Sequence, residues 1–181
     1  VLTFLRRAEA LKTEVRSAYT SDGRAESVAA HTWRLLLMAV VLAPRYPDVD
    51  VARLLKICIV HDLGEALNGD IPAPEQAERG DKSDQERADL LRLVSPLPGT
   101  VRREIVALWD EYEAADTPEA RLAKAFDKLE TILQHTQGDN PADFDYAFNL
   151  TYGTEYTDLD PLIRKLRTVL DDETRALSEQ A

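Results

Sequence analysis

The chain has 181 residues, 33 Asp+Glu against 22 Lys+Arg, a net charge of −11 and 44% hydrophobic residues. That length suits one domain able to bury about 70% of its unfolded surface, and the apolar content excludes a disordered chain. The acidic balance argues against nucleic-acid polymers and anionic membrane surfaces as primary partners, because both need Lys/Arg to neutralise phosphates.

In chain order, residues 2–19 place Phe4, Leu5, Ala8, Leu11, Val15 and Ala18 at helical spacing, which predicts one helix. Asp22-Gly23 predicts a turn. Ser27 predicts the cap of a second helix to about Ala43, with the stripe Val28, His31, Leu35, Met38/Ala39, Leu42. Asp50 predicts the cap of a third. It carries Val51, Leu54/Leu55, Cys58, His61 and Asp62 inward and ends at Gly69, Pro72 and Pro74. Residues 71–82 read as a polar loop. Ser83-Asp84-Gln85-Glu86 reads as a capping box opening a helix through Val94. Residues 100–115 read as helix. Thr117-Pro118 opens another helix to about Thr136, with Leu122, Phe126, Leu129 and Leu133 on one face. Asn140-Pro141 and Asp160-Pro161 repeat that start signal for two last helices. No alternating strand, repeat or linker is legible. The expectation is a single all-α domain over 1–181, a bundle of about seven or eight helices.

One cysteine, Cys58, in the run Ile57–Val60, predicts a buried inert thiol and excludes internal disulfides and multi-cysteine zinc sites. No apolar run approaches the ~20 residues of a membrane span, and no signal-peptide pattern is legible. The expected location is the cytoplasm.

Only three histidines exist, so each can be weighed. His31 lies on an apolar stripe, and His61 precedes Asp62 near the end of an apolar helix, so both point inward. An ionised Asp62 there needs a partner or a metal. Asp127 lies beside the apolar face of its helix, one and two turns after Ala123 and Ala120. On spacing alone it also fits a solvated Asp among lysines. Together, His31, His61, Asp62 and Asp127 offer two imidazoles and two carboxylates, a set suited to one divalent ion, Mn, Co, Zn, Fe or Mg. Two neutral His, two Asp⁻ and M²⁺ sum to zero charge. His135, in the last turn of its helix, reads as a surface residue near the helix dipole. The acidic runs Asp110-Glu111 and Asp171–Glu173 read as solvated faces.

Glu26-Ser27-Val28-Ala29-Ala30-His31, then Val60-His61-Asp62-Leu63-Gly64-Glu65, then Gly69-Asp70-Ile71-Pro72, then Asp127, resemble the HD-domain phosphohydrolase superfamily, in particular its small 5′-deoxynucleotidase branch. The likeness covers about residues 2–152, with the HD core at about 27–136. It implies an all-α fold, usually a homodimer, and a divalent metal on His31, His61, Asp62 and Asp127. The implied activity is hydrolysis of deoxynucleoside 5′-monophosphates. By the same resemblance Glu65 is an acid that touches substrate and handles protons, with Asp70 holding it or the sugar. Asp70, Ile71, Pro72 and Ala73 form a substrate-contacting turn, and Asp127 borders the substrate. Arg16, fifteen residues before His31, matches an Arg that orients phosphate; Arg24 is a further basic candidate. Ser17 stands where some members place an aromatic against the sugar, a departure that bears on sugar preference. Leu108–Glu113 also resembles the branch and reads as packing.

Two rival readings stay open. One is an HD-type hydrolase of another small phosphoester or nucleotide. The other is a non-catalytic nucleotide- or metal-binding regulatory module. The two-metal relatives need extra histidines, and none lies between His61 and His135.

Overall fold

The computed structural model describes residues 1–69 and 82–179. The all-α expectation holds, with one small addition. Helix α1 (Leu2–Ala8) runs into a 3₁₀ turn (Glu9–Lys12), and the chain then forms a two-stranded antiparallel hairpin, β1 (Val15–Tyr19) and β2 (Ala25–Ser27). The predicted single helix over 2–19 is therefore wrong in its second half. The predicted Asp22-Gly23 turn is real, with Gly23 at φ +78° and Thr20 N–H donating to Arg24 O at 2.8 Å. Such a turn between short strands is a hairpin signal. What pulls residues 15–19 out of helix is tertiary: Gln134 Nε2 donates to Tyr19 O, Asp139 N–H donates to Thr20 O, and Arg16 reaches Thr131.

Helix α2 (Val28–Leu42) starts where predicted. The Ser27 hydroxyl accepts from Ala30 N–H at 3.2 Å, a cap worth about 1 kcal/mol. Its buried stripe is Val28, His31, Leu35 and Ala39. Leu35 is fully enclosed, and truncation to Ala would cost about 2–5 kcal/mol. Helix α3 (Val51–Val60) is capped by Asp50, which accepts from Arg53 N–H. It stops one residue before His61. Residues 61–64 form a turn, and a short helix α4 (Glu65–Asn68) follows, so His61 and Asp62 sit at a helix end rather than inside a helix. Gly64 lets this turn press on the next helix; a Cβ there would lie 2.6 Å from Glu86 O.

Helix α5 (Lys82–Val94) is already under way at Ser83, so Ser83 lies in its first turn and not at its cap. Helix α6 (Gly99–Ala114) ends at Ala115, which takes a left-handed conformation at φ 49°. Helix α7 (Pro118–Gln137) is capped by Thr117 and is the axis of the core. Ala120, Ala123 and Ala125 let α2, α3 and α6 approach it, and Leu122, Phe126, Leu129 and Ile132 fill the space between. Asn140-Pro141 does not open a helix. Asn140 Nδ2 instead donates back to His135 O at 2.7 Å, and the chain runs through a 3₁₀ turn (Tyr146–Leu150) to a short helix α8 (Thr154–Thr157). Helix α9 (Pro161–Ser178), capped by Asp160, packs Ile163, Arg167, Leu170 and Thr174 against this core. Cys58 is enclosed as expected, its thiol pushed up to about 12 by burial and Asp127. No helix among the described residues is long and apolar enough to cross a membrane.

Candidate functional site

Three elements meet at one point, where His31, His61 and Asp127 are buried and Asp62 is half-buried. Helix α2 contributes His31, the turn after α3 contributes His61 and Asp62, and α7 contributes Asp127. His31 Nε2 lies 3.1 Å from Asp127 Oδ1 and 3.9 Å from Asp62 Oδ2. His61 Nε2 lies 3.0 Å from Asp62 Oδ2 and 3.9 Å from Asp127 Oδ1. Both Nε2 atoms are buried without a hydrogen-bond partner. Two donors about 2.1 Å from one ion stand about 3.0 Å apart at a right angle and about 3.4 Å apart at the tetrahedral angle. The 3.1 and 3.0 Å separations fit that scale, and the two of 3.9 Å need a wider angle at the ion. One donor atom each from His31, His61 and Asp127 also falls within 4.8 Å of the other two, so these residues could hold a metal ion.

The outer nitrogens are committed elsewhere. His61 Nδ1 pairs with Cys58 O at 2.8 Å, which aims Nε2 inward. His31 Nδ1 contacts Glu130, a fully buried carboxylate one turn after Asp127. A carboxylate behind a histidine fixes its tautomer and ring orientation for a ligand on the other nitrogen. Glu130 also accepts from Arg34 Nε at 2.7 Å and lies 3.6 Å from Arg16 Nη1. Glu26, buried as well, lies 3.6 Å from the same Nη1. Glu26, His31 and Glu130 form a second cluster of possible metal donors, but Arg16 and Arg34 already supply positive charge there.

The electrostatics follow from this layout. Burial pushes Asp127 up, but Lys128 and the two imidazoles outweigh it and hold it well below the usual carboxylate range. Asp62 is likewise lowered against burial, chiefly by His61. Burial and Arg16 push the His31 imidazole down, yet Glu130 and Asp127 prevail and raise it to about 9. Glu130 is lowered against burial by His31 and Arg16. Burial and Glu130 raise Glu26 despite Arg16.

The other predicted residues divide. Arg16 sits on β1, its Nη2 donating to Thr131 Oγ1 at 2.9 Å, and its Nη1 is buried without a hydrogen-bond partner. Ser17 beside it is exposed. Arg24 is exposed and pairs with Asp22 at 2.6 Å, so it is committed to the hairpin turn. Glu65 is buried at the start of α4, its N–H donating to Asp62 O at 3.1 Å. Asp70, Ile71, Pro72 and Ala73 lie outside the described residues.

Three readings change. Asp127 is buried in the site and not solvated. His135 is buried too, paired with Asn149 Oδ1 at 2.7 Å and packed on Phe144. Glu111 is buried and binds Arg53 and Thr117. Sequence reasoning missed Glu130, whose signal was its place three residues after Asp127 on the same helix face. It also missed Tyr112, whose hydroxyl donates to Asp127 Oδ2 at 2.7 Å.

Known proteins resemble this chain in sequence and in fold. A protein 35% identical over 141 residues, 74% of each chain, is the 5′-deoxynucleotidase HDDC2 of Dictyostelium discoideum. The human 5′-deoxynucleotidase HDDC2 is 32% identical over 139 residues, 76% of this chain and 67% of that protein. The crystal structure of a predicted metal-dependent phosphohydrolase from Magnetospirillum magnetotacticum MS-1 superimposes with a TM-score of 0.74. It is 28% identical and the match covers 98% of this chain and 93% of that one. A protein from Pyrococcus horikoshii OT3 gives 0.65 at 26% identity, over 97% and 99%. The HD domain family model matches residues 8–167, and with that span and these relatives the chain belongs to the HD domain family.

Proposed function

We propose that the chain is a metal-dependent phosphomonoesterase that cleaves deoxynucleoside 5′-monophosphates to deoxynucleoside and phosphate. The observation that carries it is the pair of buried, partnerless Nε2 atoms converging with two ionised carboxylates. The names of the relatives support the substrate class. His31, His61, Asp62 and Asp127 would hold one divalent ion. When bound, such an ion supplies a water of lowered pKa and offsets charge on phosphate.

The chain's own residues do the rest. Arg16 has N–H groups left after its bond to Thr131, and these would clamp non-bridging phosphate oxygens. Glu65, buried beside Asp62, would hold or deliver a proton at the water or at the leaving 5′ oxygen. Asp70 and the segment Ile71–Ala73 would contact substrate, and Ser17 marks the sugar side. The family match over 8–167 supports reading one HD-type domain. A homodimer rests on the family resemblance, and a cytoplasmic location on the composition.

The test is phosphate release from a panel of deoxy- and ribonucleoside 5′-monophosphates with Mn²⁺ or Co²⁺. The expected result is release from the deoxynucleotides. Release from other small phosphoesters alone would move the substrate class, and binding without any release would favour a regulatory module.

A further inference from the structure

Asp127 uses its two oxygens differently. Oδ1 is the one that nears the imidazoles, 3.1 Å from His31 Nε2 and 3.9 Å from His61 Nε2. Oδ2 accepts the Tyr112 hydroxyl at 2.7 Å and pairs with Lys128 Nζ at 3.0 Å. Both donors are themselves fixed. The Tyr112 ring packs edge-on to His61 at 5.1 Å between centroids, and Lys124 Nζ sits 4.0 Å over its face. Lys128 Nζ also donates to Tyr152 Oη at 2.9 Å. Tyr112 comes from α6 and Asp127 from α7, so the grip is a contact between helices.

A free carboxylate can give a cation one oxygen or both. Turning Asp127 to offer both would break the Tyr112 and Lys128 contacts to Oδ2. We propose that Tyr112 is a positioning residue which, with Lys128, holds Asp127 to ligation through Oδ1 alone. That keeps one more position on the ion open for water or a substrate oxygen. The inference rests on the metal reading of the site and adds a role for a residue of the Leu108–Glu113 segment.

The test is Tyr112→Phe, which keeps the ring against His61 and Lys124 and removes only the hydroxyl. The whole 181-residue chain, stripped of metal, is titrated with Co²⁺ while its visible absorption is recorded. Wild type and variant should each take one Co²⁺. The variant should bind about tenfold more weakly, the lower end of what removing an outer partner costs. Its absorption band should change in position and intensity, because the carboxylate changes its mode of ligation. Lys128→Gln, which removes the charged partner of Oδ2, should move the band the same way. Wild-type affinity and band in Tyr112→Phe overturn the proposal. So does weaker binding with a wild-type band, since that reports a loosened site with unaltered ligation. Failure of wild type to bind Co²⁺ overturns the metal site itself and this proposal with it.

Discussion

Helix α7 serves two buried polar clusters, one at Asp127 and one eight residues later at His135, and they are completed in opposite ways. Around His135 the protein supplies the partners. Asn149 Oδ1 meets the imidazole at 2.7 Å. Arg167 donates to Asn149 O, Tyr152 O and Thr157 Oγ1 and pairs with Asp171. Around Asp127 two ionised carboxylates face two histidine nitrogens that have no hydrogen-bond partner. Leaving buried polar atoms unmatched costs free energy, so a fold keeps such a set only where something else completes it. Both clusters contain a buried histidine. The difference between them is what separates a structural network from a site.

Four substitutions and one pH series probe that difference, beginning with the largest effect. Asp62→Ala should abolish metal retention and lower turnover by more than about 100-fold, beyond what outer contacts contribute. Elemental analysis and phosphate release check it, and full activity would remove Asp62 from the site. Glu65→Ala should leave metal affinity intact and slow turnover by about 100-fold or more, the scale of a lost proton-transfer group. Unchanged turnover would take Glu65 out of the chemistry. Glu130→Gln should weaken metal binding by about 10–100-fold, since it disturbs the group that orients His31. It should also lower stability, because Arg16 and Arg34 lose a buried counter-charge.

The pH series follows from His31. Its folded pKa is raised to about 9, above the ordinary value of about 6.5. Protonated His31 therefore stabilises the metal-free fold below about pH 6.5, and that contribution is lost as pH rises through about 9. Metal competes with the same proton, so its affinity should rise across this window. The difference in Tm between metal-loaded and metal-free protein should widen from pH 6.5 to 9; a constant difference would contradict the proton exchange. The smallest effect on function belongs to the other cluster. Asn149→Ala should cost about 1–3 kcal/mol of stability by leaving His135 unpaired. Metal affinity should stay at the wild-type value, and an altered one would merge the two clusters.

The helices were legible because local rules governed them. Ser27, Asp50, Thr117 and Asp160 each cap the helix they were expected to cap. The convergence of His31, His61, Asp62 and Asp127 was legible because histidine is rare in this chain and two carboxylates lie on inward-reading segments. Elements set by distant partners were not. Val15 and Ala18 continue a helical spacing, and pairing with β2 together with the docking of Arg16 and Tyr19 on α7 makes that stretch a strand. His135 looked like a surface residue because Asn149 reaches it from beyond the helix end. Glu130 and Tyr112 are ordinary helix residues until α2 and α6 bring them against His31 and Asp127.

The central claim is that one divalent ion completes the Asp127 cluster and turns it into a phosphohydrolase. Metal-stripped protein titrated with Co²⁺ in the presence of a deoxynucleoside 5′-monophosphate tests it most directly. Phosphate release should climb from zero and level off at one equivalent of Co²⁺ per chain. A plateau at two equivalents, or no release at any ratio, would contradict it.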